Sequence, residues 1–213
     1  MERPDLPLVT ERVPDEHEVP SPDDVLAFWF GPSRGADGDA ARPEWFGKDP
    51  AFDALIAERF GGLLIRALHG RLEADPAVRD AVDTRLARIL VCDQFARNAW
   101  RDRPAAFALD PVARATAQTL IGSAAELAMP VVRRWFLYMP LMHSEDLADQ
   151  QRSVTLFEAL AAESALVADA ADYARRHRDV IARFGRFPHR NEILGRSSTE
   201  EEISFLKQPG SRF

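Results

Sequence analysis

Apolar residues recur every three or four positions along most of the chain, which is the spacing of one buried helix face. Runs of β-branched residues bounded by turns are almost absent. The pattern predicts an all-α fold of about eight to ten antiparallel helices around one core. No repeat of about 34 residues is visible, but paired helices of these lengths would stack as a tetratricopeptide-like array. Capping residues followed by proline or acids indicate helix starts at Ser21, Asp49, Asp110 and Ser144. A further helix is predicted to start at Asp172. The last helix is indicated by a capping box, formed by Ser198 with Glu201 or by Thr199 with Glu202.

One predicted helix, at about Val78 to Trp100, interrupts its own apolar face with charge. Continuing the face of Leu86 and Leu90 leads to Asp93 and Arg97, which are four residues apart and can therefore meet. Gln94 and Asn98 form a second polar pair one position round. Buried charge is costly unless it is paired and hydrogen-bonded. This segment therefore either braces the fold or lines a cavity.

A second polar segment follows Pro140, which should kink or end its helix. His143 comes three residues after this proline and is the side chain we most expect to point into a cavity. Glu145, Asp146 and Asp149 could join it as acid–base groups or metal ligands, but their spacing matches no standard metal motif. Helix capping accounts for Glu145 and Asp146 without any function.

A third segment, Tyr173 to Arg196, is basic within an acidic chain of net charge −7. Its seven arginines offer planar donor groups suited to carboxylate or phosphate. Arg183 and Arg186 flank Gly185, which should stop a helix, and His189, Arg190 and Asn191 follow in a tight bend. His177 falls on the inner helix face, where a satisfied core histidine is the favoured interpretation. Three arginines are predicted to be a solvated helix face: Arg175, Arg176 and Arg178.

Composition limits the alternatives. The chain has 213 residues, one cysteine (Cys92) and no apolar run near the roughly 20 residues that cross a bilayer. These features predict a cytoplasmic protein without membrane contact, and a pI near 5.3 disfavours nucleic acid as a partner. We expect a flexible acidic, proline-rich arm at residues 1–20, one helical domain at 21–207 and a tail at 208–213. Cys92 is expected to be a small core residue rather than a nucleophile.

Three segments together resemble a bacterial family catalogued as domain of unknown function 924: Asp93 to Asn98, Phe136 to Gln150, and Arg183 to Asn191. Phe28-Trp29-Phe30-Gly31 resembles the family's opening, and the likeness covers about residues 22–207. Ala96 stands where the family usually has proline, and Met142 where it usually has glutamate. The resemblance implies a tetratricopeptide-like helical fold and supplies no reaction.

The polar segments predict a cleft that binds or acts on a small anionic ligand bearing phosphate or carboxylate. An acid–base role is assigned to His143, His189, Asp93 and Asp146. Ligand binding is assigned to Gln94, Arg97, Asn98, Arg183, Arg186, Arg190 and Asn191. No metal and no cofactor is expected. The alternative is a non-catalytic scaffold that binds an acidic peptide or protein terminus.

Overall fold

The computed structural model describes residues 19–31, 41–72 and 81–212, and these contain α-helices and no β-strand. The prediction of an all-α fold with eight to ten helices is confirmed, because nine helices are present in the described ranges; the tetratricopeptide-like arrangement stays a prediction. The arm expected at residues 1–20, except its last two residues, and the start of a helix at Val78 lie outside those ranges. The helices are α1 (Pro22–Phe30), α2 (Pro50–Leu68), α3 (Val82–Ile89, a π-helical turn Leu90–Phe95, and Ala96–Ala99), α4 (Asp110–Leu120), α5 (Ala124–Leu127), α6 (Val131–Met142), α7 (Leu147–Glu163), α8 (Ala168–Phe184) and α9 (Glu200–Phe205). Four short 3₁₀ turns lie at Pro43–Trp45, Pro104–Phe107, Ala165–Val167 and Pro188–Arg190.

The chain divides into two compact units, the first ending at Pro140 and the second beginning at Leu141. We call them unit 1 and unit 2 and describe each by itself. The single helical domain expected at residues 21–207 stays a prediction. The tail expected from residue 208 begins with Gln208, whose N–H donates to the carbonyl of Phe205.

Local caps start several helices as the sequence predicts. Ser21 and Asp24 form a capping box at α1, and Asp49 accepts from the N–H groups of Ala51 and Phe52 at α2. Thr199 with Glu202, rather than Ser198 with Glu201, caps α9. Each cap satisfies backbone N–H groups that have no partner within the helix.

Other predicted boundaries were wrong. α7 is capped by Asp146, and the Ser144 hydroxyl instead donates to Asp149 over 2.8 Å. α8 begins at Ala168, about one turn before Asp172. Asp110 is the first residue of α4 rather than its cap, because its carboxylate pairs with Arg97. At Pro140, where the sequence predicts a kink or an end, α6 continues for two more residues and ends at Met142.

The core of unit 1 is aromatic. Trp29 is fully buried and lies against Trp45, Phe95 and Phe136, with ring centroids 5.4 to 6.0 Å apart. Arg42 donates to the carbonyls of Phe28 and Trp29, which end α1. These aromatic residues therefore form core, as an apolar stripe at helical spacing usually does.

In unit 2, α7 packs along α8. The buried face of α8 consists of small and aliphatic residues with one histidine: Ala170, Ala171, Ala174, His177, Val180 and Ile181. Gly185 ends the helix with a φ of 69°, a left-handed conformation that favours glycine, as its place after Phe184 predicts. The chain then passes through Phe187, which is fully buried, into the Pro188–Arg190 turn.

Candidate functional site

The first polar segment lies in unit 1, in the π-helical turn of α3. All six residues of the turn, Leu90–Phe95, are buried. A π turn pairs residues i and i+5, so it shifts the helix faces relative to a regular α-helix. Asp93 is the charged residue of this buried turn, and it lies where the spacing of Leu86 and Leu90 predicts a buried side chain.

Asp93 and Arg97 form an ion pair with a nitrogen–oxygen distance of 3.0 Å. The two terminal nitrogens of Arg97 also reach the two carboxylate oxygens of Asp110, each over 2.9 Å. Burial lowers the pKa of Arg97, but the two carboxylates outweigh it and hold this pKa above its usual value. Arg97 is thus committed to two acids and ties α3 to α4, so the contacts favour the brace over an anion clamp.

Gln94 and Asn98, the second polar pair on α3, also have hydrogen-bond partners. Asn98 donates to Asp53 of α2 over 2.8 Å, and Arg101 pairs with the same carboxylate through two nitrogens at 2.6 and 2.8 Å. The Gln94 amide nitrogen donates to Asp93 over 2.5 Å and lies 3.7 Å from the sulfur of Met139. These contacts tie α3 to α2 and hold Asp93 in place.

Much of the basic segment in unit 2 is ion-paired. Arg183 donates to Glu201 over 2.7 and 2.9 Å, and Arg186 binds both oxygens of Glu202 over 2.7 and 2.8 Å. The hydrogen bonds from Arg186 are the largest influence that lowers the pKa of Glu202 to about 2. Two of the seven arginines are therefore neutralised by acids of α9.

Asn191 belongs to the same network and is buried. Its amide nitrogen donates to Ser198 over 3.0 Å and to Glu202 over 3.3 Å, while its oxygen accepts from Arg196 over 2.9 Å. Both hydrogen-bonding ends of the amide are thus used within the fold. Arg183, Arg186 and Asn191 therefore all have partners within unit 2.

Three histidines and one arginine do come together in unit 2, and we call them the histidine cluster: His143, His177, His189 and Arg190. The ring of His143 lies 6.3 Å from that of His177, measured between centroids. Phe187 links the other members, with its ring centroid 5.5 Å from both His177 and His189. The Arg190 guanidinium lies 4.5 Å from the same ring centroid. Four side chains that carry or can acquire positive charge therefore share one region.

Two imidazoles of the cluster, those of His177 and His189, are held neutral. Burial, followed by the nearby His143, lowers the pKa of His177 to about 3. Burial, followed by Arg190, lowers the pKa of His189 to about 4. Nδ1 of His177 lies 2.7 Å from the carbonyl oxygen of Tyr173. Since a carbonyl only accepts, this nitrogen carries the proton, and Nε2 is the atom of the neutral ring that can accept another.

The backbone around His143 is held by two side chains. Gln150 of α7 donates through its amide nitrogen to the carbonyls of Met142 and Ser144, over 2.6 and 2.7 Å. Arg190 donates to the carbonyl of His143 over 3.0 Å. Three successive carbonyls are thus bound, so the position of His143 depends on both Gln150 and Arg190.

Other candidates have structural roles. The Asp146 carboxylate caps α7 by accepting from Ala148 and Asp149 over 2.8 and 3.0 Å. Glu145 accepts from the N–H of Phe187 over 2.8 Å and pairs with Arg196. Burial raises the pKa of the Cys92 thiol to about 12, so the thiolate that a nucleophile needs is disfavoured. None of these three residues is part of the histidine cluster.

Sequence reasoning missed two members of this region. Gln150 is fully buried and organises the His143 backbone, yet it reads as one more polar position beside Asp149. Phe187 is the ring on which the cluster assembles. The Arg-Phe-Pro-His sequence could have indicated this role, because a buried aromatic residue next to a proline turn positions the histidine and arginine that come after it.

Two negative findings concern only the described ranges. There, no group of three histidine, cysteine or acidic side chains is arranged to hold a metal ion. Within the same ranges, no helix is both long and apolar enough to cross a membrane. A cytoplasmic location stays a prediction.

The helical fold and the polar motifs define a class of bacterial proteins without an assigned function. The chain belongs to the family described as bacterial protein of unknown function, DUF924, whose model matches residues 25–210. A solved structure of a protein of unknown function, ATU0120 from Agrobacterium tumefaciens, is similar, with 36% identity and a TM-score of 0.71 over 87% of this chain and 96% of that chain. No protein with curated annotation matches the chain.

Proposed function

We propose that unit 2 binds a small anion, bearing carboxylate or phosphate, at the histidine cluster. The observation that carries the proposal is the assembly of His143, His177 and His189 around Phe187 with Arg190 beside them. The Arg190 guanidinium attracts negative charge, imidazoles that become protonated add to this attraction, and partial burial weakens screening by water and salt.

The lowered pKa values of His177 and His189 support this proposal. Burial comes first among the causes, and positive neighbours in the cluster add to it. An anion bound among these groups would raise the pKa values of both histidines, because its negative charge stabilises their protonated rings. A neutral imidazole can also accept a proton from a bound ligand. The proposal therefore covers a site that acts on the anion as well as one that only binds it.

Titration calorimetry with sulfate, phosphate and acetate tests the proposal on wild type and His189→Gln. His189 is suitable because it is only partly buried, so the variant should fold. We expect binding to wild type and at least tenfold weaker binding to the variant. Arg178→Ala is the matched control, since it removes a charge from an exposed arginine paired with Asp179 and should leave binding unchanged. Equal affinity in wild type and His189→Gln, or no anion binding at all, would contradict the proposal.

A second candidate is the binding of an acidic peptide terminus on the outer side of α8. A pocket of about 280 Å³ lies there, between α8 and the segment after α9. Its lining includes Arg176, Arg183, Phe184 and Phe205, and the Arg183 guanidinium lies 4.7 Å from the centroid of the Phe184 ring. Charged donors beside apolar rings suit a carboxylate next to an apolar side chain. Fluorescence anisotropy with a labelled Asp-Glu-Phe peptide, compared between wild type and Arg176→Ala, tests this candidate.

A further inference from the structure

Two fully buried polar side chains on α7 each carry an atom without a hydrogen bond. They are Oε1 of Gln150 and Oγ of Ser153, and neither has a partner in the part of the chain that the structure describes. The two residues are three apart and so lie on one face of the helix, one turn from each other. The pair is therefore a local feature of unit 2.

The orientation of the Gln150 amide is determined by its other end. Its nitrogen donates to the carbonyls of Met142 and Ser144 and lies 3.4 Å from that of Leu141. Exchanging the amide oxygen and nitrogen would bring an acceptor against these carbonyls and lose the bonds. Oε1 is consequently the atom that faces away from them and needs a donor.

Ser153 adds an independent observation. A serine inside a helix commonly donates to the carbonyl four residues earlier, as Thr155 does with Gln151 over 3.2 Å. The Ser153 hydroxyl does not do so and is fully buried. Leaving a buried polar group without a hydrogen bond costs on the order of 1–3 kcal/mol. Two such groups one turn apart indicate a place where a bound polar molecule forms hydrogen bonds with both atoms.

This place adjoins the histidine cluster. Gln150 binds the carbonyls on both sides of His143, and the helix that carries Gln150 and Ser153 packs along α8, which carries His177. We infer that the anion of the proposed function also carries a hydroxyl group, which donates to Gln150 Oε1 and bonds to Ser153 Oγ. The inference rests on the proposed function and names its ligand class: hydroxycarboxylates and phosphates of polyhydroxy compounds.

A hydroxyl fits this position better than an ammonium group. Either group could donate to Gln150 Oε1, but an ammonium would bring positive charge toward Arg190, and toward the imidazoles once the bound anion has favoured their protonation. Like charges at close range repel strongly where water is excluded. A neutral donor avoids this repulsion and can accept from Ser153 as well as donate.

Matched ligand pairs test the inference: lactate against propionate, and glycerol 3-phosphate against propyl phosphate. We expect wild type to bind the hydroxylated member of each pair about tenfold more tightly, the combined value of two hydrogen bonds at the lower end of their usual range. Ser153→Ala removes one of these two bonds, so it should weaken this preference to about threefold and leave the affinity for propionate and propyl phosphate unchanged. The melting temperature should stay the same or rise, because the substitution removes an unsatisfied group. Ser204→Ala, the same change at an exposed position of α9, is the control.

The outcomes separate this inference from the proposed function. If all four ligands bind with sensitivity to His189→Gln but the hydroxyl brings no preference, the inference is overturned and anion binding stands. The inference is also overturned if the preference is undiminished in Ser153→Ala, which would leave a buried water as the partner of the two atoms. If Ser153→Ala does not fold, Ser153→Cys provides the same test, since a thiol is a weak hydrogen-bonding group of similar size. Absence of binding by every ligand overturns both proposals.

Discussion

Glu145 and Arg196 are 51 residues apart in the sequence and form a two-pronged ion pair, with nitrogen–oxygen distances of 2.7 and 3.0 Å. The same carboxylate accepts from the N–H of Phe187, and Arg196 also donates to the carbonyl of Phe187 over 3.1 Å. The pair therefore fixes Phe187 from both sides. Because the histidine cluster assembles on the Phe187 ring, its geometry depends on this ion pair.

Glu145→Ala should destabilise unit 2 by about 1–3 kcal/mol, since it leaves a half-buried guanidinium and a backbone N–H without this acceptor. All four tryptophans lie in unit 1, so urea unfolding should be followed by far-ultraviolet circular dichroism or by hydrogen exchange of α7 and α8. Asp179→Ala, which removes the exposed partner of Arg178, should cost less than about 0.5 kcal/mol. An equally small loss in Glu145→Ala would show that the pair does not support the cluster.

Acid should weaken the fold through His177. Its pKa is about 3 in the folded protein against an ordinary 6.5, so the unfolded chain binds the proton first. The stability from this group is complete above pH 6.5 and is lost as pH falls toward 3. Urea midpoints between pH 7 and pH 5 should therefore decrease in wild type. The decrease should be smaller in His177→Gln, which has no proton to take up; equal slopes would show that His177 is not buried as a neutral ring.

Arg97→Ala should destabilise unit 1 by about 3 kcal/mol or more, because the fully buried Asp93 then loses its cationic partner. Tryptophan fluorescence during urea unfolding measures this loss. The same variant, assayed below its melting temperature, should bind sulfate as wild type does, since the proposed site lies in unit 2. A tenfold loss of sulfate affinity in folded Arg97→Ala would instead place Arg97 in the site.

Sulfate affinity should rise as pH falls from 8 to 5. Sulfate keeps its charge over this range, so the pH dependence reports the protein. A bound anion raises the pKa values of His177 and His189 from about 3 and 4, which makes binding take up protons and favours it at lower pH. Calorimetry in two buffers of different ionisation enthalpy measures the uptake directly. Binding without proton uptake at pH 5 would show that the imidazoles do not face the anion.

Local signals in the sequence were sufficient for much of the helical architecture. Ser21-Pro22 and Asp49-Pro50 start helices, and Gly185 ends one, because these effects involve neighbours within a turn. The prediction that Asp110 caps α4 was wrong, and here the partner is distant in the sequence: the Asp110 carboxylate pairs with Arg97, 13 residues away. The π-helical turn at Leu90–Phe95 has no local signature in the sequence, whereas the spacing of Leu86 and Leu90 already indicates that Asp93 is buried.

Some features of the candidate site likewise follow from the sequence, and others only from the tertiary structure. The sequence by itself determined the family and the all-α class, and it predicted a site from the segments around Asp93, His143 and His189, since all of these depend on residue types and short spacings. Only the tertiary structure decided which charges are already paired, because partners such as Arg186 with Glu202 and Arg196 with Glu145 meet through packing between distant segments. Burial, which lowers the pKa values of His177 and His189 and leaves Gln150 and Ser153 with unbonded atoms, is likewise a property of the packed unit.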